Sequence, residues 1–200
     1  MSIRNANHEM NSITAMMQAE QDVAKGKGNR QDVLRFEYDL ETNLHEMSAM
    51  LRRMEIPKVW YKSFCVYTPK TRKVIYIDYT SKVIQRAAYD YINPKLVKTF
   101  IPDTYACIQD RGQLKAMLRA KQWMEDTRRI PGDWYYYKFD VAKYFYLIDH
   151  QVLLQLLEKR IGDRQVVELL EYYICNPSRP FGLPLCENQN EVSDADMLFE

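Results

Sequence analysis

The chain has 200 residues, of which 46% are hydrophobic and 28% charged, and this composition excludes an intrinsically disordered protein. The net charge of +1 hides an uneven distribution: residues 56–100 carry nine basic and two acidic side chains, whereas residues 131–200 carry six basic and twelve acidic ones. A basic block beside an acidic block is typical of a site for a polyanion next to a site for a cation. The alternative is that both blocks are ordinary solvated surface charge.

The cysteine pattern and the N-terminus bear on the cell compartment. The four cysteines form no Cys-X-X-Cys pair and have no histidines at ligand spacing, which argues against structural zinc and favours a reducing compartment. The N-terminus lacks the apolar stretch of a signal peptide, and no apolar run reaches the ~18 residues of a membrane helix. We therefore expect a soluble cytoplasmic protein with no membrane partner.

Two amphipathic helices are predicted in residues 1–55, the N-terminal helical region. The first covers about residues 8–25, and the second, stronger one covers about residues 30–54 and stops before Pro57. The second helix has apolar side chains at steps of three and four residues: Val33, Phe36, Leu40, Leu44, Met47, Leu51 and Met54. This Met-rich face indicates a core surface.

A β-hairpin is predicted next, because residues 62–67 and 73–77 alternate in polarity around a short turn that contains proline. Its tip brings Lys70, Arg72 and Lys73 close together in the sequence. Such a tip is either a solvated turn or a phosphate clamp, in which Arg grips phosphate oxygens bidentately and Lys supplies a point charge.

Two further helices are predicted between the hairpin and residue 133. The first covers residues 81–100, where Pro94 can kink or interrupt it, and the second covers residues 113–128. The residues between them, 101–107, indicate a loop or a short strand.

Residues 134–139, Trp-Tyr-Tyr-Tyr-Lys-Phe, have the composition of a β-strand, and Asp140 follows them directly. Taken alone, this stretch has two interpretations. Asp140 is either a cap at the start of the next element or a metal ligand at the mouth of a sheet.

The C-terminal part is predicted to contain two more helices. Asp149 caps one over residues 150–160, and Asp163 caps another over residues 164–175. We interpret both acids as caps and not as catalysts, since short acidic side chains at helix starts bond the backbone. His150 stands alone beside a helix start and is expected to be packed or hydrogen-bonded.

The last 25 residues divide into two stretches. Residues 176–185 are rich in proline and turn formers. Residues 186–200 hold five acids and no bases, so they are expected to form a disordered tail.

Five segments stand in an order that matches a known family. They are Thr-Pro-Lys-Thr-Arg-Lys-Val-Ile (68–75), Ser-Lys-Val-Ile-Gln-Arg-Ala (81–87), Ile-Pro-Asp-Thr-Tyr-Ala-Cys (101–107), Lys-Phe-Asp-Val-Ala-Lys-Tyr-Phe-Tyr-Leu-Ile-Asp-His (138–150) and Gly-Leu-Pro-Leu (182–185). Over roughly residues 30–190, the chain resembles bacterial reverse transcriptases of the group II intron, retron and diversity-generating type. The resemblance implies an α+β fingers–palm fragment, with residues 56–133 as a fingers-like region and residues 134–185 as a partial palm.

The resemblance also implies a chemistry. The family joins a deoxynucleotide to a primer by in-line phosphoryl transfer with two Mg²⁺ ions, which prefer carboxylate oxygens. By resemblance, Asp140 is a catalytic metal ligand, and the backbone carbonyl of Val141 adds a contact. Phe145 matches the bulky residue under the sugar that excludes a 2′-hydroxyl. Lys70 and Arg72 match groups that neutralise the triphosphate of the incoming dNTP.

The implied partners are an RNA template and a DNA primer. Lys73, Lys82 and Arg86 are the residues expected to contact these nucleic acids, and Mg²⁺ is the expected cofactor of the intact family.

The sequence departs from the family pattern in its last part. The family needs two more acids from a Tyr-X-Asp-Asp hairpin some tens of residues after the Gly-Leu-Pro segment, but the sequence stops at Glu200. Cys186 stands where the family has Gly, and residues 108–112 hold a single base in a stretch that tends to be basic and Gly-rich. Because one carboxylate cannot hold two Mg²⁺ ions, we expect a truncated, inactive fragment or a partner chain that supplies the missing acids.

Two alternatives stay open. The chain can be a non-catalytic accessory protein that retains the basic fingers to bind RNA or DNA. It can also be a helical interaction module whose resemblance to the family is accidental.

Overall fold

The computed structural model describes residues 10–69, 71–145 and 147–175, apart from the side chains of Arg72 and Lys73. Within these residues, seven helices and one two-stranded antiparallel sheet form a mixed α+β fold, as predicted at that level. In chain order the elements are α1 (Ile13–Ala24), α2 (Gln31–Glu37), α3 (Leu40–Arg53), β1 (Tyr61–Val66), β2 (Arg72–Ile77), α4 (Tyr79–Val97), α5 (Gln113–Thr127), α6 (His150–Ile161) and α7 (Arg164–Ile174).

The prediction of one continuous helix over residues 30–54 is wrong. The chain breaks between α2 and α3 at Asp39, whose φ of −129° and ψ of 52° lie outside the helical region. Asn43 Nδ2 donates to the Phe36 carbonyl oxygen at 2.8 Å and so satisfies a backbone acceptor next to the break. Apolar periodicity continues across Asp39 because both helices turn their apolar faces to the same core.

The predicted hairpin is confirmed. β1 and β2 pair antiparallel, with Tyr61 opposite Ile77 and Val66 opposite Arg72. The hairpin leads directly into α4, because the Asp78 carboxylate joins both elements: Oδ1 accepts from the Ser81 backbone N–H at 2.8 Å, and Oδ2 accepts from the Trp60 N–H at 3.2 Å.

The helix predicted over residues 81–100 is present, but it begins earlier and ends earlier, as α4. Pro94 lies inside it, and the helix continues to Val97. A proline this close to the C-terminal end removes one backbone hydrogen bond without ending the helix.

The core joins elements from the first three predicted regions, residues 1–55, 56–133 and 134–185. α1 packs against α3 and α4, and α4 also packs against α6, which packs against α7. Its buried apolar side chains are Met10, Met16, Ala19, Val33, Phe36, Leu44, Met47, Leu51, Val59, Tyr79, Val83, Ile84, Ala87, Ala88, Ile161, Val166, Leu169 and Tyr173. The buried Glu20 of α1 is paired inside this core, since Tyr79 Oη donates to its Oε1 at 2.8 Å. The division of the chain into four regions stays a prediction.

The helix predicted over residues 113–128 is confirmed as α5, but it lies on the outside of the core. None of its residues is buried. Its large apolar side chains are between 48% and 65% exposed: Leu114, Met117, Leu118, Trp123 and Met124.

The predicted strand over residues 134–139 is wrong, and these residues have no regular secondary structure. β-propensity makes a strand only where a neighbouring strand accepts its hydrogen bonds, and among the described residues β1 and β2 pair with each other alone. The palm strand that Asp140 was expected to end is therefore not formed.

The two C-terminal helices and their caps are confirmed. Asp149 Oδ1 accepts from the Val152 N–H at 2.9 Å, and Asp163 Oδ1 accepts from the Val166 N–H at 3.3 Å. His150 is buried, as expected for a packed side chain. In the described part of the chain, no helix is both long enough and apolar enough to cross a membrane. The Gly-Leu-Pro-Leu segment and the acidic tail lie outside the described residues.

Candidate nucleic-acid interface

Tyr76, on β2 near the base of the hairpin, is the centre of a group of charged side chains from three segments. Arg30 directly precedes α2, and Asp32 lies in the first turn of that helix. Lys82 lies near the start of α4, which the Asp78 cap holds next to β2. We call Arg30, Asp32, Tyr76 and Lys82 the Tyr76 cluster.

The Tyr76 cluster is held by direct contacts. Arg30 donates to both oxygens of Asp32, from Nε to Oδ1 at 3.0 Å and from Nη2 to Oδ2 at 3.1 Å. The Tyr76 hydroxyl donates to Oδ2 of the same carboxylate. Two cations also lie near the Tyr76 ring, with Lys82 Nζ 3.5 Å and Arg30 Cζ 5.2 Å from the ring centroid.

These contacts shift the pKa of each member. Burial opposes the shift at Asp32, but the hydrogen bonds from Tyr76 and Arg30 outweigh it and lower the pKa of this carboxyl. Burial and the bond to Asp32 raise the pKa of Tyr76. Burial is the main reason that the pKa of the Lys82 ammonium is lowered; the positive charges of Arg30 and Lys27 lower it as well, whereas the carboxylates of Asp32 and Asp78 raise it.

Sequence reasoning found Lys82 but missed Arg30, Asp32 and Tyr76. Asp32 and Tyr76 are 44 residues apart, and no periodicity links them. The predicted hairpin was the one feature that could have indicated these residues. A strand that packs beside the start of α2 brings its side chains within reach of that helix.

Arg86, which was also predicted to contact nucleic acid, is engaged within the protein. Its Nη2 lies 2.7 Å from Asp22 Oδ2 on α1, and its Nε lies 2.9 Å from Asp90 Oδ2 on α4. Burial lowers the pKa of this guanidinium, but the bond and charge of Asp90 and the charge of Asp22 outweigh that and raise it. Arg86 thus joins α1 to α4.

Asp140, Val141 and Phe145, the predicted catalytic, metal-binding and sugar-contacting residues, lie together in one exposed irregular stretch. The ring of Phe145 is in edge-to-face contact with Tyr144, with centroids 5.2 Å apart. The Asp140 carboxylate is a hard ligand suited to Mg²⁺, but no group of three or more His, Cys, Asp or Glu side chains in the described residues could hold a metal.

The segment before Asp140 exposes a row of aromatic rings. Trp134, Tyr135, Tyr136, Tyr137 and Phe139 are all at least 57% exposed. Tyr137 and Phe139 stack with ring centroids 6.3 Å apart, as side chains two residues apart do in extended backbone. Such rings can stack on bases or pack against a further part of the protein.

The remaining predicted site residues belong to the hairpin. Lys70 lies outside the described residues, as do the side chains of Arg72 and Lys73. The backbone register places Arg72 opposite Val66 and Lys73 opposite Cys65, at the end of the sheet next to the turn.

Comparisons with known proteins add no assignment. No protein-family model matches the chain. A search of curated proteins finds no match either. The resemblance to reverse transcriptases therefore rests on the order of the five segments.

Proposed function

We propose that the chain is the fingers and the opening part of the palm of an RNA-directed DNA polymerase of the reverse-transcriptase type, working in the cytoplasm. The observation that carries this proposal is the order of the five segments. It is supported by the way the first two fold, as a hairpin and a helix joined through Asp78.

In this proposal, each predicted site residue keeps one role. Asp140 and the Val141 carbonyl bind Mg²⁺, which supplies charge stabilisation for phosphoryl transfer. Phe145 contacts the sugar and disfavours a 2′-hydroxyl. Lys70 and Arg72 neutralise the triphosphate. The other acidic ligands come from a further Tyr-X-Asp-Asp segment encoded by the same gene.

The test starts from the coding DNA. Reading beyond the codon for Glu200 in all frames is expected to reveal a Tyr-X-Asp-Asp segment, and the polypeptide that includes it is expected to extend a DNA primer on an RNA template with dNTPs and Mg²⁺. Asp140→Asn should reduce the extension rate at least ~100-fold, because a lost metal ligand costs about 3 kcal/mol of transition-state stabilisation. Asp133→Asn, an equally exposed acid outside the site, is the control.

The proposal fails if no frame encodes such a segment, or if Asp140→Asn extends primers as fast as Asp133→Asn.

A second variant examines the sugar contact separately. Phe145→Ala should raise the incorporation of ribonucleotides relative to deoxynucleotides, and unchanged discrimination would remove Phe145 from the site.

A second candidate function is a non-catalytic RNA-binding protein. One observation favours it: Lys62 on β1 and Lys82 on α4, two members of the basic block, lie on elements that Asp78 joins. This candidate predicts that the 200-residue chain binds RNA with an affinity that falls as salt rises, and that Asp140→Asn leaves this affinity unchanged. Fluorescence anisotropy of a labelled single-stranded RNA measures both, and affinity without salt dependence would contradict it.

A further inference from the structure

We propose that the Tyr76 cluster is a binding site for the phosphate groups of single-stranded RNA. The inference rests on the proposed RNA binding and assigns it to Arg30, Tyr76 and Lys82, of which Arg30 and Tyr76 have no role in the polymerase proposal.

The first argument is the arrangement of charge. Arg30 and Tyr76 together bond both oxygens of Asp32, so this carboxylate orients two side chains of the cluster. In the described part of the chain, no carboxylate lies within ion-pair distance of Lys82 Nζ, which contacts the Tyr76 ring at 3.5 Å. An aromatic face stabilises a cation by a modest amount and leaves its N–H groups able to donate to another acceptor.

The second argument is the presence of further cations around the same ring. Lys62 on β1 is the register partner of Tyr76, so its side chain projects from the same face of the hairpin. Lys27 is close enough to add to the positive field at Lys82. Arg30 and Lys82 thus lie near the ring, Lys62 projects from the same face of the hairpin, and the charge of Lys27 acts at Lys82.

The third argument concerns the kind of ligand. The Arg30 side chain is 46% exposed and Lys62 is exposed, whereas Lys82 is half-buried, so at least two of the cations face solvent and do not line an enclosed pocket for a base or sugar. The four cations come from three segments, the linker between α1 and α2, β1 and α4, which spreads the charge over a surface. A polynucleotide strand carries one negative charge per nucleotide and so meets several of these cations at once, unlike a single phosphate.

The chain offers a matched control for Lys82. Lys95 lies near the other end of α4 and also sits over a tyrosine, with Nζ 3.7 Å from the Tyr91 centroid. About 20 Å of helix separates the two lysines, from the rise of ~1.5 Å per residue. Replacing either one by Gln removes one charge from the same kind of contact, and only Lys82 belongs to the Tyr76 cluster.

The experiment measures the affinity of the full chain for a single-stranded RNA of ~20 nucleotides by anisotropy between 50 and 200 mM salt. Lys82→Gln should weaken binding about 3- to 10-fold and lower the slope of log K against log salt by about 0.7, the contribution of one phosphate contact on a single strand. Lys95→Gln should change affinity less than about twofold. Lys82→Arg, which keeps the charge, should bind within about twofold of the unmodified chain.

Competition with unlabelled ligands shows whether the site binds RNA or a small phosphate anion. Unlabelled RNA should displace the probe at micromolar concentrations, whereas inorganic phosphate and pyrophosphate should do so only at millimolar ones. Displacement by pyrophosphate as readily as by RNA would overturn the assignment in favour of a small-anion site.

The other outcomes separate this inference from the proposed function. If the unmodified chain shows no salt-dependent RNA affinity, the RNA-binding function itself fails. If it binds but Lys82→Gln and Lys95→Gln behave alike, the Tyr76 cluster is not the site. Circular dichroism melts of each variant confirm that the compared proteins are folded, and a Lys82→Gln chain that does not fold is replaced by Tyr76→Phe with Lys62→Gln, for which the same loss of affinity is expected.

Discussion

Asp32 ties two segments of the chain together through one carboxylate. It accepts from Arg30, which directly precedes its own helix, and from Tyr76 on the hairpin. Hydrogen bonds to a charged acceptor are stronger than those between neutral groups, because the full negative charge is stabilised by both donors. The hairpin is therefore attached to α2 by an interaction that depends on the ionised state of Asp32.

This dependence predicts a pH effect on stability. The folded-state pKa of Asp32 is lowered, so its contribution is fully present above the unfolded value of about 3.9 and is lost as pH falls through the folded value. Asp32→Asn should reduce the free energy of unfolding by about 1–2 kcal/mol at pH 7, and the difference from the unmodified chain should shrink below about pH 4. Urea unfolding at both pH values measures it.

Asp39→Asn is the control, since Asp39 is exposed and its side chain makes no capping bond. A difference for Asp32→Asn that stays constant from pH 7 to pH 3 would show that the ionised carboxylate is not what holds the hairpin.

At the scale of the elements, the acids that begin α6 and α7 have the same cap chemistry but different surroundings. Asp163 is 5% exposed and accepts from two backbone N–H groups, those of Gln165 at 3.1 Å and Val166 at 3.3 Å, whereas the bond from Val152 to Asp149 lies at the surface. Tyr91 Oη on α4 also donates to Asp163 Oδ2 at 3.5 Å. A buried cap leaves unsatisfied donors when it is removed, whereas water replaces an exposed one.

We therefore expect Asp163→Ala to cost about 2 kcal/mol of unfolding free energy and Asp149→Ala about 0.5–1 kcal/mol, within the range measured for lost N-caps. Chemical denaturation of both variants measures the two losses. Equal losses, or a larger one for Asp149→Ala, would contradict the role of burial.

Local chemistry made several elements predictable. The hairpin alternates in polarity, Asp149 and Asp163 precede apolar helical patterns, and α5 has helical spacing, so each could be identified from neighbouring residues alone. The strand at 134–139 and the continuous helix at 30–54 were wrong for a different reason. A strand forms only where a partner strand accepts its hydrogen bonds. The helix break at Asp39 leaves the spacing of the apolar side chains unchanged. Neither outcome can therefore be predicted from neighbouring residues alone.

At the scale of the whole molecule, apolar surface is unevenly distributed. α1, α3, α4 and α7 bury their apolar faces in one core. α5 and the segment before Asp140 leave their apolar side chains exposed. These exposed side chains are too many and too close in the chain to be the isolated apolar residues of an ordinary surface. In the polymerase proposal, this surface is where the remaining part of a palm packs.

Exposed apolar surface of this extent predicts dye binding by the folded chain. The 200-residue protein should enhance the fluorescence of 8-anilinonaphthalene-1-sulfonate in its folded state, and the double variant Tyr136→Ser/Phe139→Ser should lower that enhancement by roughly one third. Tyr38→Ser is the control, because Tyr38 is 94% exposed but lies at the junction of α2 and α3, away from this surface. A larger decrease for Tyr38→Ser would place the dye elsewhere.

The sequence by itself determined the α+β class, the hairpin, the helices with their caps, and the ordered segments that single out Asp140 and Phe145. All of these depend on residues close together in the chain, where spacing and side-chain chemistry act directly. The tertiary structure alone decided that Arg30 and Lys82 meet at Tyr76, that Arg86 joins α1 to α4, and that residues 134–139 remain without a partner strand. These features depend on contacts between segments that are distant in the chain. The packing of the whole molecule, and not the local sequence pattern, decides which of these contacts form.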